Sequence, residues 1–180
     1  MAKYTTSGPR YTSYPTVPEW SNHFGEQATL QLIQENNLSE KANRPLALYF
    51  HIPFCTSLCY YCGCNIKISR NKKVTRPYLE ALRQELEFIA PLINSRRQVV
   101  QMHWGGGTPT YLEPEGIHEL VDLIQSYFSF APQAELSLEV DPRVTTDAHI
   151  QTLRHCGFNR ISLGIQDFDP HVQETVHRIQ

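Results

Sequence analysis

Residues 46–64 read LALYFHIPFCTSLCYYCGC and join a short apolar run to a dense group of cysteines. The apolar run at 46–50 is too short for a helix and apolar enough for a buried β-strand. Four cysteines follow it with the spacing C-x3-C-x2-C-x-C, at Cys55, Cys59, Cys62 and Cys64. Clustered cysteines in a chain without a recognisable secretion signal are more typical of metal binding or redox chemistry than of disulfides. We therefore predict a metal-binding or redox loop directly after the first strand.

The composition restricts the classes of protein to which the chain can belong. Its 180 residues suit one ordinary domain or part of a larger one. Sixteen basic and eighteen acidic side chains give a formal net charge of −2, which argues against a general nucleic-acid binder. No apolar run approaches the roughly 18–20 residues that span a bilayer, and residues 1–8 do not resemble a signal peptide. We expect a cytoplasmic protein that binds neither nucleic acid nor membranes.

Beyond the cysteines, strand patterns and helix patterns alternate along the chain. The third strand is the clearest, because Leu136, Leu138 and Val140 alternate with polar residues, as in a strand with one polar face. Strands are predicted at 46–50, 98–104, 135–140 and 161–165, and helices follow them at 77–93, 114–128, 146–157 and 170–179. This alternation with short links predicts an α/β fold with a parallel sheet, open or rolled into a barrel.

The chain divides into two predicted parts. Residues 1–44 form an irregular arm with a short amphipathic helix around 26–35. We expect aromatic side chains of the arm to dock on another surface, namely Tyr4, Tyr11, Tyr14 and Trp20. Residues 45–180 form the first part of a barrel domain. Four strand–helix units cannot close an ordinary barrel, and the last helix pattern has neither cap nor breaker. We therefore expect this sequence to be the N-terminal part of a longer protein.

Zinc is the simplest alternative for the cysteine loop, since four thiolates can complete its tetrahedron. Structural zinc, however, usually joins two separated C-x2-C pairs, whereas these thiols share one short loop. A ferredoxin would use a different spacing, typically with proline after its last cysteine. The remaining cysteine, Cys156, lies beside Gly157 at a helix end and is expected to be a small buried side chain.

The spacing C-x3-C-x2-C, with an aromatic residue before the third cysteine, resembles the signature of the radical S-adenosylmethionine (radical SAM) enzymes. Further motifs are similar to one family among them, the oxygen-independent coproporphyrinogen III oxidases, also called coproporphyrinogen dehydrogenases. These motifs are RYTSYPT at 10–16, CGCN at 62–65, WGGGTPT at 104–110 and GIQDF at 164–168. The resemblance extends over essentially the whole chain. It implies the N-terminal part of a radical SAM (β/α)6 partial barrel, preceded by the irregular arm.

The resemblance also implies a set of cofactors and site residues. Cys55, Cys59 and Cys62 would ligate a [4Fe–4S] cluster, and Cys64 matches an extra cysteine that is not a cluster ligand in the family. Family members of this type bind two S-adenosylmethionine molecules. The cofactor-binding positions that carry over are Tyr49, Tyr61, Gly106, Gly107, Thr108, Glu139, Gln166 and Arg178. Independently of the family, a glycine run after a strand lets the backbone approach a ligand closely.

The implied activity is anaerobic oxidative decarboxylation of two propionate side chains of coproporphyrinogen III. This reaction gives the vinyl groups of protoporphyrinogen IX in haem biosynthesis, through a 5′-deoxyadenosyl radical. The implied partners are a porphyrinogen substrate and a low-potential electron donor such as flavodoxin or ferredoxin, and the full-length protein is expected to be a monomer. The basic residues at 67–76 are either solvated surface or an attractant for an anionic substrate.

Two alternatives to this activity remain at the level of the sequence. One is a related radical SAM protein that acts on or carries haem. The other is a non-catalytic metal- or haem-binding module, for which His51 or His103 would be the candidate axial ligand. A single histidine beside a strand, however, is more often part of a structural hydrogen-bond network.

Overall fold

The computed structural model describes residues 19, 21, 23–38, 43–94 and 97–180. The strands are β1 (Leu46–Ile52), β2 (Phe54–Cys55), β3 (Lys67–Ile68), β4 (Val99–Gly106), β5 (Phe130–Val140) and β6 (Arg160–Leu163). The helices are α1 (Glu26–Leu38), α2 (Thr75–Ile89), α3 (Pro114–Tyr127), α4 (Asp147–His155) and α5 (Pro170–Thr175). The RYTSYPT motif and the four aromatic residues expected to dock lie outside the described residues.

Four of these strands form a parallel sheet in the order β1-β4-β5-β6, so that each later strand adds to the same side of the sheet. The order confirms the predicted α/β fold with a parallel sheet. Because the strands are parallel, their carboxyl ends share one edge. At this edge, Ile52 lies beside Gly106 and Val140 lies beside Leu163. The cysteine loop, residues 53–65, follows β1 directly and therefore starts at that edge.

The two faces of the sheet differ in polarity, as the alternating pattern predicts. One face carries fully buried side chains such as Met102, Trp104 and Leu138. These belong to one buried cluster together with apolar side chains of α2, α3 and α4. The other face carries His103 and Glu139, which are partly exposed. The helices therefore cover one face and leave the polar face open toward the cysteine loop.

Local signals in the sequence account for the ends of α4. Thr146 caps the helix, because its hydroxyl accepts from the His149 backbone N–H, while the His149 ring accepts from the backbone N–H of Thr146. Gly157 follows the helix with a φ of 88°, a left-handed conformation that glycine adopts without a Cβ clash. Cys156 is buried at this end, as predicted for a small apolar side chain.

The last helix is shorter than its apolar periodicity predicts. We expected it to reach Ile179, but α5 ends at Thr175, and His177 adopts a left-handed φ of 55°. Contacts with the cysteine loop explain the early end. Tyr60 donates its backbone N–H to the Val176 carbonyl at 3.0 Å, and His177 Nδ1 lies 2.8 Å from the Leu58 carbonyl.

Two predicted site residues consequently lie outside regular elements. Arg178, expected within the last helix, follows that helix in an irregular segment. Gln166, expected at the end of the fourth strand, lies three residues beyond β6. The correction for Arg178 has a physical cause, since the contacts of Val176 and His177 with the cysteine loop outweigh local periodicity.

The predicted helix near 26–35 is present as α1, although none of its side chains is buried. It contacts the segment after α2 through Asn37, whose side-chain amide donates to the Leu92 carbonyl and accepts from the Asn94 backbone N–H. No helix within the described ranges is long and apolar enough to cross a membrane.

Shortening a buried side chain of the sheet core should lower the free energy of unfolding, and Leu138→Ala tests this directly. Leu138 is fully buried, so the variant loses both transfer free energy and packing contacts. We expect the free energy of unfolding to fall by about 2–5 kcal/mol. The matched control is Leu38→Ala on α1, where the side chain is 90% exposed and the expected change is within about 0.5 kcal/mol. Urea unfolding measures both, and equal losses would contradict the assigned core.

Candidate metal centre

A cavity of about 260 Å³ opens at the carboxyl edge of the sheet, between the cysteine loop and the segment that follows β6. Its lining comes from β2, β4, β5 and β6, from the cysteine loop, and from the segments that follow β4, β5, β6 and α5. Ten of the eleven predicted site residues line it, namely Cys55, Cys59, Tyr61, Cys62, Gly106, Gly107, Thr108, Glu139, Gln166 and Arg178. The eleventh, Tyr49, lies on the neighbouring part of the polar sheet face.

Backbone hydrogen bonds fix the start of the cysteine loop to the sheet edge. Gly107 donates its N–H to the Ile52 carbonyl at 2.8 Å, and Thr108 donates to the Phe54 carbonyl at 2.9 Å. On the opposite side, the parallel pairing of β2 with β3 holds Cys55, whose carbonyl accepts from the Ser69 N–H at 2.9 Å. The loop is thus held on both sides by backbone groups, independently of any bound metal.

The approach of β4 to this loop requires glycine. A Cβ at Gly107 would lie 2.8 Å from the Phe54 carbonyl oxygen, 2.9 Å from the Pro53 carbonyl carbon and 3.0 Å from Cys55 Sγ. The first two distances are shorter than real Cβ atoms show, so a side chain would force the loop backbone to move. The preceding Gly106 has a φ of 112°, which is strained for other residues. The glycine run therefore places backbone, rather than side chains, beside the cysteines.

The four cysteines of the loop differ in exposure. Cys59 is buried, Cys55 and Cys62 are half-buried, and Cys64 is exposed. All are free thiols. Burial raises the pKa of the Cys55 thiol, and the charges of Cys62 and Cys59 add to this effect, whereas the hydrogen bond with Thr108 acts in the opposite direction. Cys55 Sγ lies 3.4 Å from the Thr108 hydroxyl.

No group of three or more His, Cys, Asp or Glu side chains in the described part of the chain converges to hold a single metal ion. One zinc ion would draw its thiolates to about 2.3 Å from a common centre. A four-iron cluster spreads its ligands over separate iron corners instead. Cys55, Cys59 and Cys62 line the same cavity, and three thiolates are a donor set that can occupy three corners of a four-iron cluster.

Tyr49 approaches Glu139 across the backbone of Gly105. A Cβ at Gly105 would lie 3.2 Å from the Tyr49 hydroxyl and 3.3 Å from Glu139 Oε2. The Tyr49 ring stacks on His103 with centroids 6.0 Å apart, and its hydroxyl lies 3.1 Å from His51 Nδ1. Burial raises the pKa of Tyr49, and the negative charge of Glu139 raises it further. Tyr49 therefore lies near the cavity residue Glu139 on the polar face of the sheet.

The segment after α5 forms the opposite wall through Arg178. Its guanidinium donates to the Tyr61 hydroxyl at 3.1 Å and to the Gly164 carbonyl at 2.8 Å, and it lies 3.9 Å from Cys59 Sγ. Within the described structure, the buried Nε of Arg178 has no hydrogen-bond partner. A buried donor without a partner is costly, so it fits a site that an anionic cofactor group completes.

Sequence reasoning missed Asp141 and Arg143, which also line the cavity. Arg143 Nη2 lies 2.6 Å from Asp141 Oδ2, and Arg143 also donates to Cys59 Sγ at 3.7 Å. Burial acts to raise the pKa of the Asp141 carboxyl, but hydrogen bonds from Arg143 and the charges of both arginines outweigh it and lower the pKa. The signal available was their position directly after β5, at the edge where parallel sheets bind ligands.

The basic stretch at 67–76 is not brought to this site. All five of its cationic side chains are in the described part of the chain, and none of them lines the cavity. Lys72 lies 3.1 Å from Glu113 and donates to the Tyr111 carbonyl at 2.7 Å. Arg76 pairs with Glu119 at 2.6 Å. The contacts of these two residues support a structural role on the side of α3.

Comparisons with known proteins identify the family of the chain. The model of the radical SAM superfamily matches residues 49–180. The whole chain is 51% identical to an oxygen-independent coproporphyrinogen III oxidase of Escherichia coli strain K12 and 45% identical to one of Synechocystis sp.. In both cases the chain spans 38% of the length of the curated relative.

A solved structure of coproporphyrinogen III oxidase from Escherichia coli, described as a radical SAM enzyme, also matches. The TM-score is 0.88 at 48% sequence identity, over 99% of this chain and 38% of that one. The likeness therefore covers sequence and fold together over nearly all of this chain.

Replacement of Gly107 should disturb the cysteine loop, whereas replacement of a glycine within the loop should not. In Gly107→Ala, the new methyl group meets the backbone of Pro53 and Phe54, so we expect at least a two-fold loss of iron bound after anaerobic reconstitution. Gly63→Ala is the matched control, because nothing lies within 4 Å of its Cβ position. Iron and sulfide analysis measures the difference, and equal loading of the two variants would contradict the close approach.

Proposed function

The chain belongs to the radical SAM superfamily, and from this premise we propose that it is the cluster-bearing part of an oxygen-independent coproporphyrinogen III oxidase. The proposed reaction is the anaerobic decarboxylation of two propionate side chains of coproporphyrinogen III to vinyl groups, which gives protoporphyrinogen IX. The observation that carries the proposal is 51% identity to such an oxidase over all 180 residues. The three predicted cluster cysteines around one cavity support it independently.

The cluster would be held by Cys55, Cys59 and Cys62. Three thiolates for four irons leave one iron without a protein ligand, and a catalytic centre needs such an open position. When bound, the [4Fe–4S] cluster and S-adenosylmethionine supply a carbon-centred radical that removes hydrogen from the substrate. Cys64 is the exposed cysteine of the loop. Partial burial of its thiol and the nearby charge of Cys62 raise the pKa of that thiol. We assign it no cluster iron.

S-adenosylmethionine would lie in the cavity against the backbone of Gly106 and Gly107. Glu139 can accept hydrogen bonds from the amino or hydroxyl groups of the cofactor. The unpartnered Nε of Arg178 can donate to its carboxylate. Tyr49, Tyr61, Thr108 and Gln166 complete the proposed contacts. Two cofactor molecules, as in similar family members, are part of the proposal.

The proposed partners follow from the reaction. A porphyrinogen substrate would enter along the open polar face of the sheet, and a low-potential donor such as flavodoxin or ferredoxin would reduce the cluster. A cytoplasmic, monomeric full-length protein, bound neither to nucleic acid nor to a membrane, is also part of the proposal. The substrate carboxylates require cationic partners, and the basic stretch at 67–76 is not among our candidates, because none of its side chains lines the cavity.

A haem-binding module is the alternative from another class, and the contacts of His51 argue against this residue as its axial ligand. His51 Nδ1 lies 3.1 Å from the Tyr49 hydroxyl, and His51 Nε2 lies 2.8 Å from the Asn65 carbonyl. His103 Nδ1 lies 2.8 Å from the Ser137 hydroxyl. An axial ligand needs one ring nitrogen free for iron, and His51 has partners on both of its ring nitrogens.

The proposal is tested by anaerobic reconstitution of the full-length protein. We expect about four irons and four sulfides per chain, reductive cleavage of S-adenosylmethionine, and formation of protoporphyrinogen IX from coproporphyrinogen III. Zinc in place of iron, or an intact cluster that cannot cleave the cofactor, would contradict the proposed enzymatic function. Cofactor cleavage without decarboxylation of coproporphyrinogen III would instead favour a related radical SAM protein.

Alanine replacement of the cysteines should separate cluster ligands from the others. Replacing Cys55, Cys59 or Cys62 with Ala should abolish normal cluster assembly, because each removes the only protein ligand of one iron. Cys64→Ala should retain most of the iron and lower turnover. Cys156→Ala, buried in the core away from the loop, is the matched control and should retain both. Equal loss of iron at Cys64 and the three ligands would indicate a four-cysteine structural site.

Removal of the Glu139 charge should weaken cofactor binding without loss of the cluster. We expect Glu139→Gln to raise the dissociation constant for S-adenosylmethionine by roughly 5–150-fold, which corresponds to about 1–3 kcal/mol for a lost charged hydrogen bond. Glu135→Gln is the matched control, since Glu135 lies on the same strand face but pairs with Arg160 at 2.9 Å. Calorimetric titration of the iron-loaded proteins measures both, and an unchanged constant for Glu139→Gln would refute the assignment.

A further inference from the structure

We infer that Arg143, held in place by Asp141, is a positioning residue that fixes the Cys59 sulfur and raises the reduction potential of the cluster. The inference rests on the proposed function, since it assigns a role toward the same cluster. It concerns two residues that neither the sequence motifs nor the family resemblance identified. Both act through Cys59 and need not contact the cofactor or the substrate.

The Asp141 carboxylate immobilises the guanidinium of Arg143. Arg143 Nε lies 3.0 Å from Asp141 Oδ1 and 3.1 Å from Oδ2, and Nη2 lies 2.6 Å from Oδ2. The backbone N–H of Arg143 also donates to Oδ1 at 3.0 Å. The turn itself is closed by the Thr145 hydroxyl, which donates to the Asp141 carbonyl at 2.8 Å. With its orientation fixed in this way, the guanidinium directs Nη2 to Cys59 Sγ at 3.7 Å.

The interaction lies in a region largely shielded from water. Cys59 is 8% exposed, and the side chains of Asp141 and Arg143 are 9% and 22% exposed. Charges interact more strongly there than at the surface, because the local dielectric constant is lower. Arg178 adds a second cation, 3.9 Å from the same sulfur and 3.8 Å from Asp141. Cys59 is therefore the sulfur of the loop that faces two guanidinium groups.

The chemical consequence is a shift of the reduction potential. Reduction adds one negative charge to an iron–sulfur cluster, and that charge is shared with its thiolate ligands. A hydrogen bond or a positive charge at a ligating sulfur stabilises the reduced form and raises the potential. By contrast, the neutral hydroxyl of Thr108 is the polar group at Cys55. The cationic environment is thus concentrated on one of the three ligands.

Arginine is better suited to this position than lysine. Its planar fork can hold Asp141 with one side and reach Cys59 with a terminal N–H, whereas an ammonium group is a single compact donor. A lysine would keep the charge near Asp141 but lose the simultaneous contact with the sulfur. The conservative replacement consequently separates the effect of charge from the effect of orientation.

The test compares Arg143→Gln and Arg143→Lys with the natural sequence in the reconstituted full-length protein. The readouts are iron content and the midpoint potential of the cluster, from anaerobic redox titration followed by electron paramagnetic resonance. We expect unchanged iron, a more negative potential for Arg143→Gln and a smaller negative shift for Arg143→Lys. Arg83→Gln is the matched control and should leave the potential unchanged, since Arg83 on α2 pairs with Glu80 of the same helix and with Glu119 of α3.

An unchanged potential in iron-loaded Arg143→Gln would overturn the inference and leave the proposed function intact. An equal shift in Arg83→Gln would overturn it too, because the effect would then not be specific to Cys59. If Arg143→Gln loses its iron, Arg143→Lys decides, and a potential equal to that of the natural protein refutes the role. Absence of a [4Fe–4S] cluster from the natural protein would overturn both the inference and the proposed function.

Discussion

The structure depends on the close backbone approach between the end of β4 and the start of the cysteine loop. Hydrogen bonds from Gly107 and Thr108 to the carbonyls of Ile52 and Phe54 attach the loop directly to the sheet edge. The attachment is possible because Gly107 has no Cβ to meet the loop backbone. It brings the Cys55 thiol next to the Thr108 hydroxyl, and both residues line the cavity. Because backbone groups make these hydrogen bonds, the position of the loop does not depend on its thiol side chains.

The opposite side of the loop is held by the last part of the chain. The Val176 carbonyl and the His177 ring bond to loop residues Tyr60 and Leu58, and the rings of Tyr60 and His177 stack with centroids 5.0 Å apart. These contacts end α5 early and bring Arg178 to the cavity. The segment whose contacts end α5 therefore also places a cation, Arg178, beside Cys59.

Much of this arrangement follows from the sequence, and the exceptions have physical causes. The alternation of Leu136, Leu138 and Val140 with polar residues predicts the polar face correctly, since one strand face is buried. The extent of α5 was predicted wrongly, because the periodicity of apolar residues carries no information about tertiary hydrogen bonds such as that between His177 and the Leu58 carbonyl. Arg143 was missed because a cation after a strand is ordinary in sequence and becomes informative only when its distance to Cys59 is known.

In the proposed function, three thiolates would leave one iron of a cluster open for S-adenosylmethionine. Electron paramagnetic resonance of the reduced full-length protein, recorded with and without the cofactor, tests it most directly. We expect the signal of a [4Fe–4S]⁺ cluster whose g values change when S-adenosylmethionine is added, because the cofactor would become a ligand of the open iron. Identical spectra under both conditions, or the absence of an iron signal from a protein that contains zinc, would contradict it.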